Sequence, residues 1–443
     1  MVDVVGWMRG ALAACLLVVL VAGCSDQAEV PTQTPYEQVS SAHDVDLSKK
    51  QWQRIQRMAV VPELPEDPTN RVANDARAVD FGHLLFFDSR LSENNAVSCA
   101  TCHDPSLDFT DGRRVSHGIG KNARNAPTVL NAAFHRWLTW DGRADSLWAQ
   151  ALEPLENDVE MGGDRLAIVR TVSSDPELRT RYEALFGALP DLSEGTLPEH
   201  ARPRRDGASD EWSEAWERID SEQREEITAA FVNIGKSIGA YQRQLVSVNA
   251  PFDQFVNAAE SGSYVPVSGF SDAEVRGLEL FVGEAGCWEC HAGPMLTTGE
   301  FHNIGVPPVA GGMPTDSGRF SGADVVKEDS FNAAGEHSDA QEGNQARLVR
   351  SLLNSPENWG RFRTPSLREV SRTAPYMHEG RFETLEEVVA YYSTLEGAVQ
   401  LDHHQEVVLA PLELDEREQA DLVAFLRTLD GELLKPDLAK NRP

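Results

Sequence analysis

"CWECH", residues 287–291, places two cysteines two residues apart and a histidine directly after the second. A matching stretch, "CATCH", lies at residues 99–103. Each copy follows an apolar segment typical of a helix end, "GHLLFF" at residues 82–87 and "GLELF" at residues 277–281. The sequence therefore predicts two copies of one unit, each with a helix, a short loop and the cysteine–histidine motif.

The start of the chain carries an export signal. Arg9 precedes the apolar run "ALAACLLVVLVAG" at residues 11–23, which is too short for a stable membrane span. The small residues before Cys24 are similar to a bacterial lipobox, which predicts that Cys24 is lipidated. The alternative is an ordinary signal with a chance cysteine. Asp26 lies one place too late for the usual inner-membrane retention signal, so the inner and the outer membrane both stay open.

The cysteine count separates the motifs from the export signal. Of six cysteines, Cys15 leaves with the signal and Cys24 takes the lipid. The remaining four all lie inside the two motifs: Cys99, Cys102, Cys287 and Cys290. An exported protein could pair them as disulfides, but a Cys-x-x-Cys redox pair does not require a following histidine. A zinc site would need further cysteine or histidine ligands close by.

The doubled Cys-x-x-Cys-His pattern is the attachment signature of c-type haem. In this chemistry two thioethers hold the porphyrin and the adjacent imidazole ligates the iron. The sequence therefore predicts two covalent haem c groups, with His103 and His291 as the proximal ligands.

Helical apolar stripes dominate the rest of the chain. Ser271 and Glu274 form a capping-box pattern ahead of the second motif, and another apolar stripe runs from Ile227 to Leu245. A closing helix is predicted to begin at Asp415. The fold class is therefore all-α, with two cytochrome c-like haem domains and long loops.

The domain limits follow from these patterns and from 443 residues of length. The expected order is a signal peptide, a lipidated tether with an N-terminal arm, an N-terminal cytochrome c domain with an acidic insertion, and a C-terminal cytochrome c domain. The ranges are 1–23, 24–74, 75–235 with the insertion at 191–226, and 236–443.

The net charge is −30, which argues against nucleic acid as a partner because phosphate binding needs a basic face. The negative charge could steer a basic redox partner. Solubility or a salty habitat explains it equally well.

Several longer strings resemble the bacterial di-haem cytochrome c peroxidases and their MauG-type relatives. They include "LLFFDSRLS", "SCATCHDPSLDFTDG", "RNAPTVLNAAF", "TWDGRADSLWAQALEPLENDVEMG" and "FRTPSLREVSRTAPYMHEGRFETLEEVVAYY". The resemblance runs from about residue 75 to about residue 429, nearly the whole mature chain. It implies a periplasmic enzyme that takes hydrogen peroxide as substrate, and a homodimer is expected in this family.

The resemblance implies roles for residues around the first haem. Glu160, in "ENDVEMG", matches the acid–base carboxylate on the distal side, and Gln150 and Pro154 match residues that line the same pocket. Cleavage of the O–O bond of peroxide moves a proton from one oxygen to the other, which a carboxyl group in a mostly apolar pocket can do. Trp140 matches a tryptophan between the two haems. The alternatives are a solvated surface acid for Glu160 and simple packing for Trp140.

The resemblance also implies a calcium ion between the haems. Asn125 matches its side-chain ligand, and Thr373 and Pro375 match the residues whose carbonyl oxygens complete the site. Hard oxygen donors are what calcium prefers. Without the resemblance, an asparagine before Ala-Pro would be a turn residue.

The sixth haem ligands divide between two subfamilies. His117, in "VSHGIG", matches the distal histidine that blocks the first haem of resting peroxidases, although a loop histidine need not reach iron. Tyr392 occupies the position opposite His291, as in MauG-type enzymes, and a phenolate lowers the haem potential. Met377 is the alternative ligand, as methionine is usual in the peroxidases.

Three functions follow. The first is a peroxidase that reduces hydrogen peroxide at the N-terminal haem, with electrons entering at the C-terminal haem from a small cytochrome c or a cupredoxin. The second is a MauG-like enzyme that oxidises tryptophan or tyrosine residues of a partner protein. The third is a non-catalytic di-haem electron carrier, which would not need Glu160.

Overall fold

Helices make up most of the regular structure in the computed structural model. The structure describes residues 33–60, 62–193, 197–204, 210–262, 264, 269–401 and 409–442. The predicted signal peptide, Cys24 and most of the tether lie outside these ranges, and so do parts of the acidic insertion. Residues 35–443 form one compact unit.

The α-helices of the described ranges are numbered in chain order. They are α1 (Pro35–His43), α2 (Lys49–Ala59), α3 (Ala76–Phe87), α4 (Cys99–Cys102), α5 (Leu147–Glu156), α6 (Arg165–Ser174), α7 (Pro176–Phe186), α8 (Glu211–Glu217), α9 (Ser221–Gln242), α10 (Pro251–Glu260), α11 (Asp272–Val282), α12 (Arg319–Glu328), α13 (Asn344–Ser351), α14 (Leu385–Thr394) and α15 (Glu416–Leu426).

Extended structure is sparse in the same ranges. Strand β1 (Ser247–Val248) pairs antiparallel with β4 (Glu432–Leu433), and β2 (Phe301–His302) pairs antiparallel with β3 (Phe362–Arg363). Short 3-10 helices lie at Ser89–Leu91, Pro105–Leu107, Ala132–Phe134, Cys287–Glu289, Pro356–Asn358, Val370–Arg372, Arg427–Leu429 and Pro436–Ala439. The predicted all-α class with long loops is confirmed.

The first apolar cluster lies around α3, α5 and α9. Phe81, Trp148 and Phe231 are fully buried there. Helices α3 and α9 cross at Gly82, where a Cβ atom would lie 1.9 Å from the carbonyl oxygen of Ser237. Only a residue without a side chain permits this approach. The crossing places the end of α3 directly ahead of the first cysteine–histidine motif.

The second apolar cluster lies around α11 and α15. Helix α11 begins with the predicted capping box, in which Ser271 accepts from the backbone of Glu274. Helix α15 begins behind Asp415, as predicted. At Gly277 a Cβ atom would lie 1.9 Å from the carbonyl oxygen of Asp421, so these two helices also cross at a glycine. The two motifs therefore follow equivalent helix crossings.

The N-terminal arm belongs to the second cluster. Trp52, Ile55 and Met58 of α2 are buried against residues of α10 and α11, about 200 positions further along the chain. Helix α9 runs unbroken across residues 235 and 236, where the domain boundary was predicted. The domain limits remain a prediction. Within the described ranges, no helix is both long and apolar enough to cross a membrane.

Candidate functional site

The first cysteine–histidine motif forms a single helical turn. Ser98 precedes it, Cys99–Cys102 forms α4, and the backbone N–H of His103 donates to the carbonyl oxygen of Cys99 at 3.0 Å. The two cysteines and His103 line one wall of a cavity of about 610 Å³. This turn therefore directs both thiols and the imidazole into the same space.

The second motif repeats this arrangement. Residues Cys287–Glu289 form a 3-10 turn, and the backbone N–H of His291 donates to the carbonyl oxygen of Cys287 at 2.9 Å. Cys287, Cys290 and His291 line a second cavity of about 300 Å³. The predicted duplication of one unit is thus present in three dimensions.

Each histidine is held by one ring nitrogen. Nδ1 of His103 lies 3.1 Å from the carbonyl oxygen of Phe109, and Nδ1 of His291 lies 3.1 Å from that of Leu296. Burial lowers the pKa of His103 and lowers that of His291 to about 4, so both rings are neutral at pH 7. Nδ1–H donates to the carbonyl and Nε2 keeps its lone pair, the arrangement of an imidazole that ligates a metal.

The four thiols fit covalent haem attachment. All four are free cysteines. Burial raises the pKa of Cys99 and of Cys287 to about 12 and that of Cys102 to about 11. Redox-active Cys-x-x-Cys pairs have lowered thiol pKa values instead. Paired thiols beside a neutral imidazole, on the wall of an apolar cavity, match the donors that haem c requires.

A carboxylate stands on the wall of the first cavity. Glu160 is half-buried and lines the cavity together with Gln150 and Pro154 of α5, as the resemblance implied. Its Oε1 accepts a hydrogen bond from Nδ2 of Asn122 at 2.8 Å. Sequence reasoning missed Asn122 because no spacing rule connects two loop residues 38 positions apart. Glu160 and His103 therefore line one cavity, and the acid–base role of Glu160 stays a prediction.

Trp140 lies between the two cavities and lines both of them. Its Nε1–H donates to the carbonyl oxygen of Asn125 at 3.0 Å, and its ring centroid lies 6.5 Å from that of His378. The carbonyl oxygen of Trp140 accepts from the backbone N–H of Arg363 at 2.8 Å, which fixes the segment. The position matches the tryptophan expected between two haems.

His117 is exposed and is not part of the wall of either cavity in the described chain. Its loop is tied to the turn that carries Glu160, since the N–H of Ile119 donates to the carbonyl oxygen of Glu160 at 2.8 Å. At Gly118 a Cβ atom would lie 2.1 Å from the same oxygen, so only glycine fits. The role of His117 as an axial ligand stays a prediction.

Both candidates for the sixth ligand of the second haem line its cavity. Burial in this wall raises the pKa of the phenol of Tyr392, in α14, with smaller contributions from the neighbouring Cys287 and Tyr391. The neighbouring Tyr391 points elsewhere, donating from its hydroxyl to the carbonyl oxygen of Ile304 at 2.7 Å. Met377 lies on a different part of the same wall, with a positive φ of 71°. That Tyr392, and not Met377, is the sixth ligand of the second haem stays a prediction.

The residues predicted to hold calcium share one cavity wall. Asn125, Thr373 and Pro375 all line the second cavity. The Asn125 amide nitrogen donates to the carbonyl oxygen of Arg113 at 2.9 Å, so its side-chain oxygen is the atom available to a cation. Calcium itself stays a prediction.

A chain of ion pairs crosses the wall of the first cavity, and sequence reasoning did not find it. Arg143 pairs with Glu153 at 2.8 Å and with Asp141 at 3.2 Å. Arg124 pairs with Asp141 at 2.6 Å and with Asp316 at 2.8 Å. Asp316 lies 192 positions from Arg124 along the chain, so no local sequence pattern predicts this pair.

Two cavities of this kind, each with two thiols and a singly held imidazole, define the class of protein: a c-type cytochrome with two haem c groups. One cavity also holds the carboxylate of Glu160, and Trp140 lies on the wall of both.

Comparison with known proteins places the class more narrowly. A family model described as di-haem cytochrome c peroxidase matches residues 76–261. The methylamine utilization protein MauG of Methylorubrum extorquens is 32% identical over 381 residues, covering 86% of this chain and 84% of that protein. A cytochrome-c peroxidase of Denitromonas iodatirespirans, IdrP1, is 32% identical over 378 residues, covering 83% and 85%.

Solved structures agree with these relatives. A MauG-like protein associated with microbial copper homeostasis superposes with a TM-score of 0.58 at 28% identity, covering 84% of this chain and 95% of that one. The chain therefore belongs to the family of di-haem cytochrome c peroxidases and MauG proteins, a family of haem c oxidoreductases.

Proposed function

We propose that this chain reduces hydrogen peroxide to water at the N-terminal haem site, with electrons that enter through the C-terminal haem site. The observation that carries the proposal is the position of Glu160, on the wall of the cavity that also holds His103. A group that moves protons is needed beside the iron in a peroxidase and has no use in a carrier.

The reaction consumes one peroxide, two electrons and two protons and yields two waters. When bound, the haem held by Cys99, Cys102 and His103 would supply the iron chemistry for peroxide reduction. Glu160 would take a proton from one oxygen of the peroxide and deliver it to the other as the O–O bond breaks. The bond from Asn122 at 2.8 Å fixes the carboxylate for both steps, since Glu160 itself lies in a turn and not on a helix.

The second haem site would accept electrons from a small cytochrome c or a cupredoxin. Trp140 lines both cavities and would offer an aromatic route for electrons between them. Asn125, Thr373 and Pro375 would hold a calcium ion that fixes the relative position of the two haem sites. We further propose that the chain is periplasmic and is anchored by lipid at Cys24, as its sequence predicts, and that it forms a homodimer, as the family resemblance implies.

A second candidate is MauG-type oxidation of a partner protein. Tyr392 favours it, because a phenolate at the second haem lowers its potential and disfavours electron entry from a cytochrome. Relatives named MauG are as similar as those named cytochrome-c peroxidase. A non-catalytic carrier is the weakest candidate because it leaves Glu160 without a role.

The test is oxidation of a reduced small c-type cytochrome by peroxide, run on the fully oxidised and on the half-reduced holoprotein. Turnover confined to the half-reduced form would support peroxidase action with His117 blocking the oxidised state. Turnover in both forms would support the peroxidase with an open site. A long-lived oxidised form without cytochrome turnover would favour the MauG-type reaction. The absence of any reaction with peroxide would favour a non-catalytic electron carrier.

A further inference from the structure

Two basic side chains lie on the wall that the two cavities share. Arg363, in strand β3, and His135, after the 3-10 turn Ala132–Phe134, each line both cavities. Arg363 is only 7% exposed. This wall, which we call the partition, therefore places the buried cation of Arg363 between the two predicted haem sites.

The guanidinium of Arg363 has most of its hydrogen-bonding capacity unfilled. Its bonds to the described residues go to the carbonyl oxygens of Thr139 at 3.3 Å and Thr364 at 3.4 Å, both beyond the usual range. An arginine has five N–H donors. Burial lowers the pKa of Arg363 to about 10, so it stays cationic at neutral pH.

Two of the other buried arginines are paired with carboxylates. Arg368 binds Asp253 at 2.8 Å, and Arg165 binds Glu156 at 3.0 Å. A buried charge without a counter-charge is costly, so native proteins pair such groups. Among the described residues, Arg319 and Arg243 also lack a carboxylate partner, but each donates to a carbonyl oxygen at 2.7 Å. The side chain of Arg363 has neither a carboxylate partner there nor a hydrogen bond shorter than 3.3 Å.

The carboxylates on the same wall are held by other groups. Asp316 pairs with Arg124 at 2.8 Å, and Glu379 accepts the backbone N–H of Val309 at 3.0 Å. Neither contributes to the pKa of Arg363, for which burial is the sole cause of the shift. No carboxylate among the described residues pairs with Arg363, so an anion inside the cavities is the counter-charge that its position favours.

Haem c brings suitable anions, because each porphyrin carries two propionate carboxylates. We infer that Arg363 binds a haem propionate at the partition between the two cavities and that His135 donates a second hydrogen bond to this carboxylate. Burial, reinforced by the charge of Arg363, lowers the pKa of His135 well below its ordinary value. Its ring is neutral at pH 7 and offers one N–H donor.

This site would control a haem potential. A cation paired with the propionate offsets its negative charge and so favours the reduced state of the haem. Because Arg363 faces both cavities, it would act where electrons pass between the sites. The inference rests on the haem c groups of the family and holds whether or not peroxide is the substrate.

The test is a spectroelectrochemical titration of the holoprotein with Arg363→Gln, Arg363→Lys and Arg319→Gln. Arg319 is the matched control: it is 5% exposed, burial also lowers its pKa to about 10, and it donates to the carbonyl oxygen of Gly142 at 2.7 Å, but it lines neither cavity. We expect Arg363→Gln to lower the potential of at least one haem. Arg363→Lys should keep most of the wild-type potential, and Arg319→Gln should have the same potentials as the wild type.

Unchanged potentials in Arg363→Gln, or an equal drop in Arg319→Gln, would overturn the inference. If Arg363→Gln does not assemble with haem, infrared spectra of wild type and Arg363→Lys with ¹³C-labelled propionates decide instead. A shift of the labelled carboxylate band between the two supports the pairing, and an identical band refutes it. Dependence of the potentials on added phosphate would assign the site to a free anion and also refute the propionate.

Discussion

Replacing the carboxyl group of Glu160 with an amide tests the proton-transfer role with the least structural change. In Glu160→Gln the side chain keeps its shape, and the amide oxygen can still accept the bond that Asn122 now donates at 2.8 Å. What disappears is the ability to take up and release a proton. The cavity, His103 and the attachment of haem should therefore stay as they are.

The magnitude follows from the role. A positioned acid–base group contributes about 10²- to 10⁴-fold to a rate. At about 1.4 kcal/mol per tenfold, the transition state should lose about 3–5 kcal/mol of stabilisation. We expect kcat/KM for peroxide to fall by that factor while both haems remain bound and the absorption spectrum of the second haem is unchanged.

The assay is steady-state oxidation of a reduced small cytochrome c at varied peroxide, normalised to haem content. Glu93→Gln is the control, because Glu93 is exposed beside the same turn and its backbone N–H donates to the carbonyl oxygen of Met161 at 2.9 Å, yet it lines neither cavity. A loss smaller than about tenfold in Glu160→Gln, or an equal loss in Glu93→Gln, would refute the reasoning.

Three further predictions concern ligation and stability. Tyr392→Phe should change the low-spin spectrum of one haem and Met377→Leu should not; the reverse would assign methionine. Asp145 is buried, and burial raises its pKa to about 6, so its contribution to stability is lost as pH rises through 6. Asp145→Asn should therefore raise the free energy of unfolding at pH 7.5 by up to about 3 kcal/mol. Urea titrations measure this change, and an unchanged free energy would contradict the prediction. Gly82→Ala should lower the thermal midpoint of the holoprotein by forcing α3 away from the carbonyl oxygen of Ser237, with a cost of about 3 kcal/mol or more, and an unchanged midpoint would show that the helices part freely.

Features that depend on neighbouring residues were predictable from the sequence. The turn that presents Cys99 and His103 closes over four residues, and the capping boxes at Ser271 and Asp415 close over three. Such contacts form between groups whose spacing the chain itself fixes. The apolar stripe predicted from Ile227 to Leu245 is likewise buried, because one face of helix α9 carries it as far as Tyr241.

Features that depend on distant contacts were not predictable. Asn122 meets Glu160, and Arg363 reaches the partition between the cavities, only because loops from separate parts of the chain converge. The arm helix α2 packs on the C-terminal cluster although it precedes the N-terminal one. Loop conformation also determines whether His117 can reach the iron. Its imidazole suits an iron ligand, but in this structure the side chain is exposed.

The stoichiometry of peroxide reduction tests the central claim most directly. Half-reduced holoprotein would be mixed anaerobically with an excess of reduced small cytochrome c and then titrated with measured amounts of hydrogen peroxide. The proposed reaction predicts two cytochromes oxidised for every peroxide consumed, with repeated turnover. Consumption of peroxide without oxidation of the cytochrome would contradict the proposed reaction. In that case the electrons would come from a tryptophan or tyrosine of another protein.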